Sequence, residues 1–271
     1  MKQNRYLLTQ ARILGTLLRR GKVSPLKVLN AAQAFAAYSA RRERTAPAPF
    51  LVAFELGNIC NANCVFCRND RGEVNDFNPT GPGAPIPRGR MPFALYAEIL
   101  GQLRDRLLMA TLYINGEPLM YPELEQAVRL ATDYRVATMI ATNGILLTSA
   151  RSRALLAAGV DFIKIALSGM TQETYQVQVR QGDVEQVKDN ICTLAAINRT
   201  GRYRAAVLVD YILYNYNRHE LPAVRRFCDR LGVPLNVRPG NPWGMEDREP
   251  PQPVGPDCSR VPCDLLWKAL S

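Results

Sequence analysis

The sequence predicts an α/β fold: six strand–helix repeats in series, forming a barrel or part-barrel behind a helical extension. Three observations carry this. The pattern changes after Pro49 from helical spacing to alternating apolar runs and amphipathic stretches. Helices between successive strands imply parallel βαβ units. The turns richest in chemistry each follow a strand, where barrels of this kind place their active groups.

In order, residues 4–20 carry Leu7, Leu8, Ile13, Leu14, Leu17 and Leu18 at near-helical spacing, and Gly21 ends that helix. Ser24 and Pro25 then form an N-cap and first-turn pair for a second helix to about Ser39. The run Thr45–Pro49 is a linker. Strands are expected to begin near Phe50, Ala110, Val136, Phe162, Ala205 and Pro234. Helices are expected near 92–106, 121–133, 148–158, 184–198 and 219–231. The chain thus divides into a basic helical extension over 1–45, a barrel over 50–240 and a short tail over 241–271.

Composition narrows the function. The 271 residues carry +10, but residues 1–45 hold ten basic side chains and one acid, so almost all of the excess lies in the extension. A nucleic-acid role argued from overall charge therefore loses its basis, and none is expected. No stretch reaches the roughly 18 apolar residues of a membrane span. Tyr6–Leu18 is interrupted by Gln10, Arg12 and Gly15 and lacks a cleavage site, so a cytoplasmic location is expected. In a reducing compartment the seven cysteines read as ligands, catalytic groups or packing. His219 is the single histidine, which excludes sites needing several.

Cys60, Cys64 and Cys67 follow the first strand. Three thiolates on one loop suit a cubane cluster whose fourth iron stays open to a small molecule. Zinc is the rival, and it wants a fourth Cys or His. None lies between Arg68 and Cys192. Cys192 and Cys228 fall among helix apolar positions and read as small hydrophobes.

The Cys-x3-Cys-x2-Cys spacing, with the aromatic Phe66 before the last cysteine, resembles the radical SAM superfamily. The resemblance covers about 50–240. It implies a partial (β/α)6 TIM-like barrel, a [4Fe-4S] cluster on Cys60, Cys64 and Cys67, and S-adenosyl-L-methionine bound at the open iron. It implies cleavage of that cofactor to a 5′-deoxyadenosyl radical, which takes hydrogen from a substrate. Residues implied to meet the cofactor are Phe66, Gly116 and Glu117 in the glycine-rich turn, Asn143, Ser168 and Arg180. The carboxylate of Glu117 is expected to meet the cofactor's amino group. A flavodoxin- or ferredoxin-type reductase is the implied partner.

Pro256–Ser271 resembles the opening of a SPASM or twitch extension, with Cys258 and Cys263 before Trp267, and stops short of a full ligand set. That favours a peptide, protein or small natural product as substrate. Two other readings stay open: a non-catalytic Fe–S electron carrier or sensor, and a truncated member without productive turnover. The Gly- and Pro-rich stretch 68–90 is expected to cover the substrate mouth. Asn217 and His219 begin the helix after the fifth strand, with His219 expected to be structural. The basic extension has three candidate seats: the barrel, an anionic membrane or an acidic partner.

Overall fold

Six short strands lie side by side in chain order, each parallel to the next. They are β1 (Leu51–Ala53), β2 (Met109–Thr111), β3 (Ala137–Thr142), β4 (Phe162–Leu167), β5 (Ala206–Leu213) and β6 (Leu235–Pro239). The structure is a computed structural model and describes residues 13–42, 47–65, 67, 88–200 and 205–240. Among these, β1 and β6 are the two edges, so the sheet is an open, partial TIM-like barrel.

The helices are α1 (Pro25–Ser39), α2 (Phe93–Leu103), α3 (Leu124–Asp133), α4 (Ser149–Ala158), α5 (Gln172–Gln176), α6 (Val184–Arg199) and α7 (Leu221–Leu231). Local chemistry sets their ends. Ser24, Thr148, Thr171 and Asp183 accept backbone N–H groups as N-caps of α1, α4, α5 and α6. Gly159 and Gly232 close α4 and α7 in the left-handed region. Helix side chains such as Leu155, Val187, Ile191 and Leu194 pack with Ile140, Ile163 and Ile165 of the sheet in one core. Cys228 is fully buried in it and Cys192 packs against it. Burial pushes the Cys228 thiol up to about 11, which leaves it an unreactive apolar group.

β1 and β2 are shorter than the apolar runs that announce them. Phe54 still donates to the Thr111 carbonyl at 2.8 Å, but the chain then leaves the sheet to build the site. The other strands begin within a residue or so of expectation, and β4 coincides with it.

The extension packs under the sheet. Residues 13–19 are helical, and Leu17 is buried against Met109, Ala137 and Phe162, at or near the starts of β2, β3 and β4. Polar side chains make the rest of the seat. Arg20 donates to the Val160 carbonyl at 2.7 Å, Lys22 to that of Val136 at 3.2 Å and Lys27 to that of Arg135 at 2.6 Å. Asn30 is 1% exposed and bonds the Ala48 N–H, the Ala48 carbonyl and the Arg106 carbonyl. Asp161, fully buried, meets Arg20 at 3.1 Å and Lys22 at 3.7 Å. Burial is the largest influence on both Asp161 and Lys22, raising the first and lowering the second. Nothing in an apolar-periodicity reading announces this polar seat, because it is made of carbonyls at helix–strand turns.

Candidate active site

The cysteine loop leaves β1 and is stitched to the segment after α5. Val65 donates to the Gln178 carbonyl at 2.9 Å, Gln181 to that of Ala62 at 3.0 Å, and Cys64 pairs with Val179 in an antiparallel bridge. Ala62 is fully buried and anchors the loop centre. Cys60 and Cys64 are half-buried and Cys67 is exposed. Arg180 is half-buried inside this seam, so two candidates separated by over a hundred residues share one edge.

The second loop can reach the first only because residue 116 is glycine. A Cβ there would lie 1.6 Å from the Gly57 carbonyl oxygen. Glu117 donates its N–H to the Ile59 carbonyl at 2.9 Å, next to Cys60. Glu55 fastens the turn from the other side: its carboxylate accepts the N–H of Asn115 at 2.5 Å and of Gly116 at 3.3 Å. Glu55 belongs to no motif in the sequence. Its one signal there is a lone acid inside the apolar run Phe50–Leu56.

Glu117 is 4% exposed, and protein donors hold both of its oxygens. Oε1 accepts from the Leu119 N–H at 3.1 Å and the Thr142 hydroxyl at 2.7 Å, and Oε2 from the Asn143 N–H at 2.8 Å. The carboxylate expected to face the cofactor thus faces the turn after β3. Burial outweighs these donors and lifts its pKa to about 7.

Asn143 carries the link onward. Its side-chain amide donates to Asn61 Oδ1 at 2.8 Å and lies 3.7 Å from Cys60 Sγ, while its Oδ1 accepts from the Ile145 N–H at 2.9 Å. The Asn–Gly turn expected from the sequence is present, and it also delivers an N–H to a candidate ligand sulfur.

The fourth loop holds Ser168, 4% exposed, and Gly169, where a Cβ would lie 2.6 Å from the Tyr175 nitrogen. Asn217, fully buried, donates to the Ser168 and Ile212 carbonyls and accepts from the Tyr214 N–H. Glu220 accepts the Met170 and Thr171 N–H groups and the Thr171 hydroxyl. In the Asn217–Glu220 run the binding work falls to its two ends. His219, between those ends, is exposed.

The donor set fits an iron–sulfur cluster: three thiols on one pinned loop, with an amide N–H aimed at one sulfur. Among the described residues no three side chains are already gathered as a ligand group, so the fit rests on donor chemistry and placement. Phe66, the stretch 68–87, and Cys258 and Cys263 with the tail 241–271 lie outside the described residues.

A parallel six-stranded part-barrel with a three-cysteine loop at the end of β1 defines a class, and comparison agrees with it. The Radical SAM superfamily profile matches residues 54–228. The chain belongs to that superfamily. Among curated relatives, the AdoMet-dependent heme synthase of Methanosarcina barkeri is 30% identical over 47% of this chain and 34% of its own length. The mycofactocin maturase MftC of Mycobacterium tuberculosis is 24% identical over 74% and 47%. The PqqA peptide cyclase of Ruegeria pomeroyi is 31% identical over 48% and 32%. These relatives are enzymes, and the matches span about a third to a half of their length. Among solved structures, Streptococcus suis SuiB bound to its precursor peptide SuiA superposes with TM-score 0.56 at 16% identity, covering 79% of this chain and 44% of that one. Methylornithine synthase PylB superposes at 0.51 with 14% identity, covering 82% and 62%. Both share the fold. Among the described residues no helix is long and apolar enough to cross a membrane.

Proposed function

We propose that this chain holds a [4Fe-4S] cluster on Cys60, Cys64 and Cys67, binds S-adenosyl-L-methionine beside it, and abstracts hydrogen from a peptide. The observation that carries this reading is the Asn143 amide, set between Cys60 and Asn61 while its own N–H is held by Glu117. A cysteine loop built only to hold a metal has no need of a buried carboxylate from one strand end and an amide from the next.

The cluster would supply the electron that splits the cofactor into methionine and a 5′-deoxyadenosyl radical. The chain's residues do the holding. The three cysteine thiolates would be the iron ligands, and the Asn143 N–H favours the more reduced cluster by donating toward sulfur. Gly116 brings backbone up against Gly57, which fits a cofactor lying along the strand ends. Ser168 and Arg180 are assigned to the same cofactor, Arg180 as the cation for its carboxylate. Phe66 is assigned to the same pocket from the motif. Glu117 serves the site by fixing Asn143.

A peptide substrate is the class supported by the name of the related PqqA peptide cyclase. A small flavodoxin or ferredoxin would deliver the electron, in the cytoplasm. The test is anaerobic reconstitution with iron and sulfide, then dithionite and S-adenosylmethionine. The expected product is 5′-deoxyadenosine. Its absence from a protein whose cluster absorbance is intact would overturn the proposal and leave an electron carrier or sensor.

A further inference from the structure

The extension is built inside out. A helix lying on a globular body normally turns its apolar stripe inward. In α1 the inward stripe is Lys27, Asn30 and Ala37, two of them polar and engaged with turn carbonyls. The outward arc carries Val28, Leu29 and Phe35, with Ala32 and Ala36 between them. Leu29 is 54% exposed and Phe35 is 66% exposed. The preceding helix repeats the arrangement: Leu17 is buried, while Leu14 and Leu18 stand more than half exposed. Most of the large exposed apolar side chains of the described residues therefore fall within residues 14–38.

Charge says what fits that face. Residues 1–42 contain nine basic side chains and no acid. Arg20, Lys22 and Lys27 are turned toward the barrel, but Arg19, Arg41 and Arg42 are exposed at the ends of the two helices. A second copy of this chain pressed face to face would bring two such cationic segments together at a like-charge cost. An acidic protein would meet the arginines but find no charge on the apolar arc between them. An anionic bilayer surface offers both layers at once: acyl chains for the leucines and Phe35, and headgroups for the flanking arginines.

We infer that residues 13–42 seat the enzyme on an anionic membrane surface through the outward arc of α1, while the polar inward face holds the barrel. The seat on the barrel and the seat on the membrane are opposite sides of one element. This inference stands apart from the radical chemistry and survives its failure.

The experiment is flotation of the full chain with vesicles of phosphatidylcholine alone or with about a third phosphatidylglycerol, at moderate salt. Retention is expected on the anionic vesicles only. The double variant Leu29→Glu/Phe35→Glu is expected to lose retention at least tenfold with an unchanged melting temperature, since both side chains are exposed. A Phe35→Trp variant is expected to shift its added emission to the blue when anionic vesicles are mixed in. No retention of the wild-type chain, equal retention of the double variant, or a dimer in solution abolished by that variant would each overturn the inference.

Discussion

At Gly116 the space for a side chain is already taken by the Gly57 carbonyl, so Gly116→Ala must push two loops apart. We expect a stability loss of about 1–3 kcal/mol in chemical denaturation and at least a hundredfold drop in 5′-deoxyadenosine formation. Asn143→Ala removes the amide aimed at Cys60. Redox titration of the reconstituted cluster should give a lower potential, because an N–H directed at sulfur favours the reduced form. An unchanged potential would mean the contact has no electronic role. Glu117 has a sign that can be checked. Its pKa is raised by burial from 4.5 to about 7, so its neutral form is the one the fold favours. Its contribution is complete below its ordinary pKa and is lost as pH climbs through about 7. The wild type should lose up to about 3 kcal/mol of unfolding free energy between about pH 5 and pH 8 relative to Glu117→Gln, measured by denaturant titration at each pH. The cysteines stand out in the sequence by their spacing, and Gly116 and Asn143 by the family resemblance of their turns. Glu55 did not, since a carboxylate that binds backbone N–H groups leaves no periodicity.

Among elements, the turn between β5 and α7 organises the one between β4 and α5. Asn217 joins the Ser168 carbonyl of one turn to the Tyr214 N–H of the other and to the Ile212 carbonyl near the end of β5, and Glu220 holds the residues just ahead of α5. Asn217→Ala should cost about 3 kcal/mol, since it strands buried polar groups. It should also weaken binding of S-adenosylmethionine while Cys60, Cys64 and Cys67 still assemble a cluster, read by equilibrium dialysis and absorbance. Loss of the cluster as well would show that the damage spreads beyond Ser168. Most helix positions were legible because apolar spacing and caps report them directly. α5, with only five residues, falls below what a 3.6-residue repeat can reveal. The face choice of α1 was illegible for a different reason. Its inward side chains are chosen by carbonyls left at the turns of other elements, and no local pattern records where those lie.

For the whole molecule, Asp161 is where the extension and barrel depend on one another. Asp161→Ala leaves Lys22 buried without its carboxylate and should destabilise the fold by about 3–5 kcal/mol. Adding Lys22→Met should recover a good part of that loss, and a double-mutant cycle in denaturant measures it. The strand order adds a consequence for how the chain is made. Because β1 to β6 neighbour one another in sequence order, each new strand can settle on the one synthesised just before it. Leu17 follows the opposite schedule. Its cluster draws on Met109, Ala137, Phe162 and, at its margin, Ala206. Its helix precedes the barrel in the chain and yet is among the last elements to find its seat. Leu17 waits uncovered through the synthesis of the strands that seat it, and a chaperone or a lipid surface would meet it before its own barrel does.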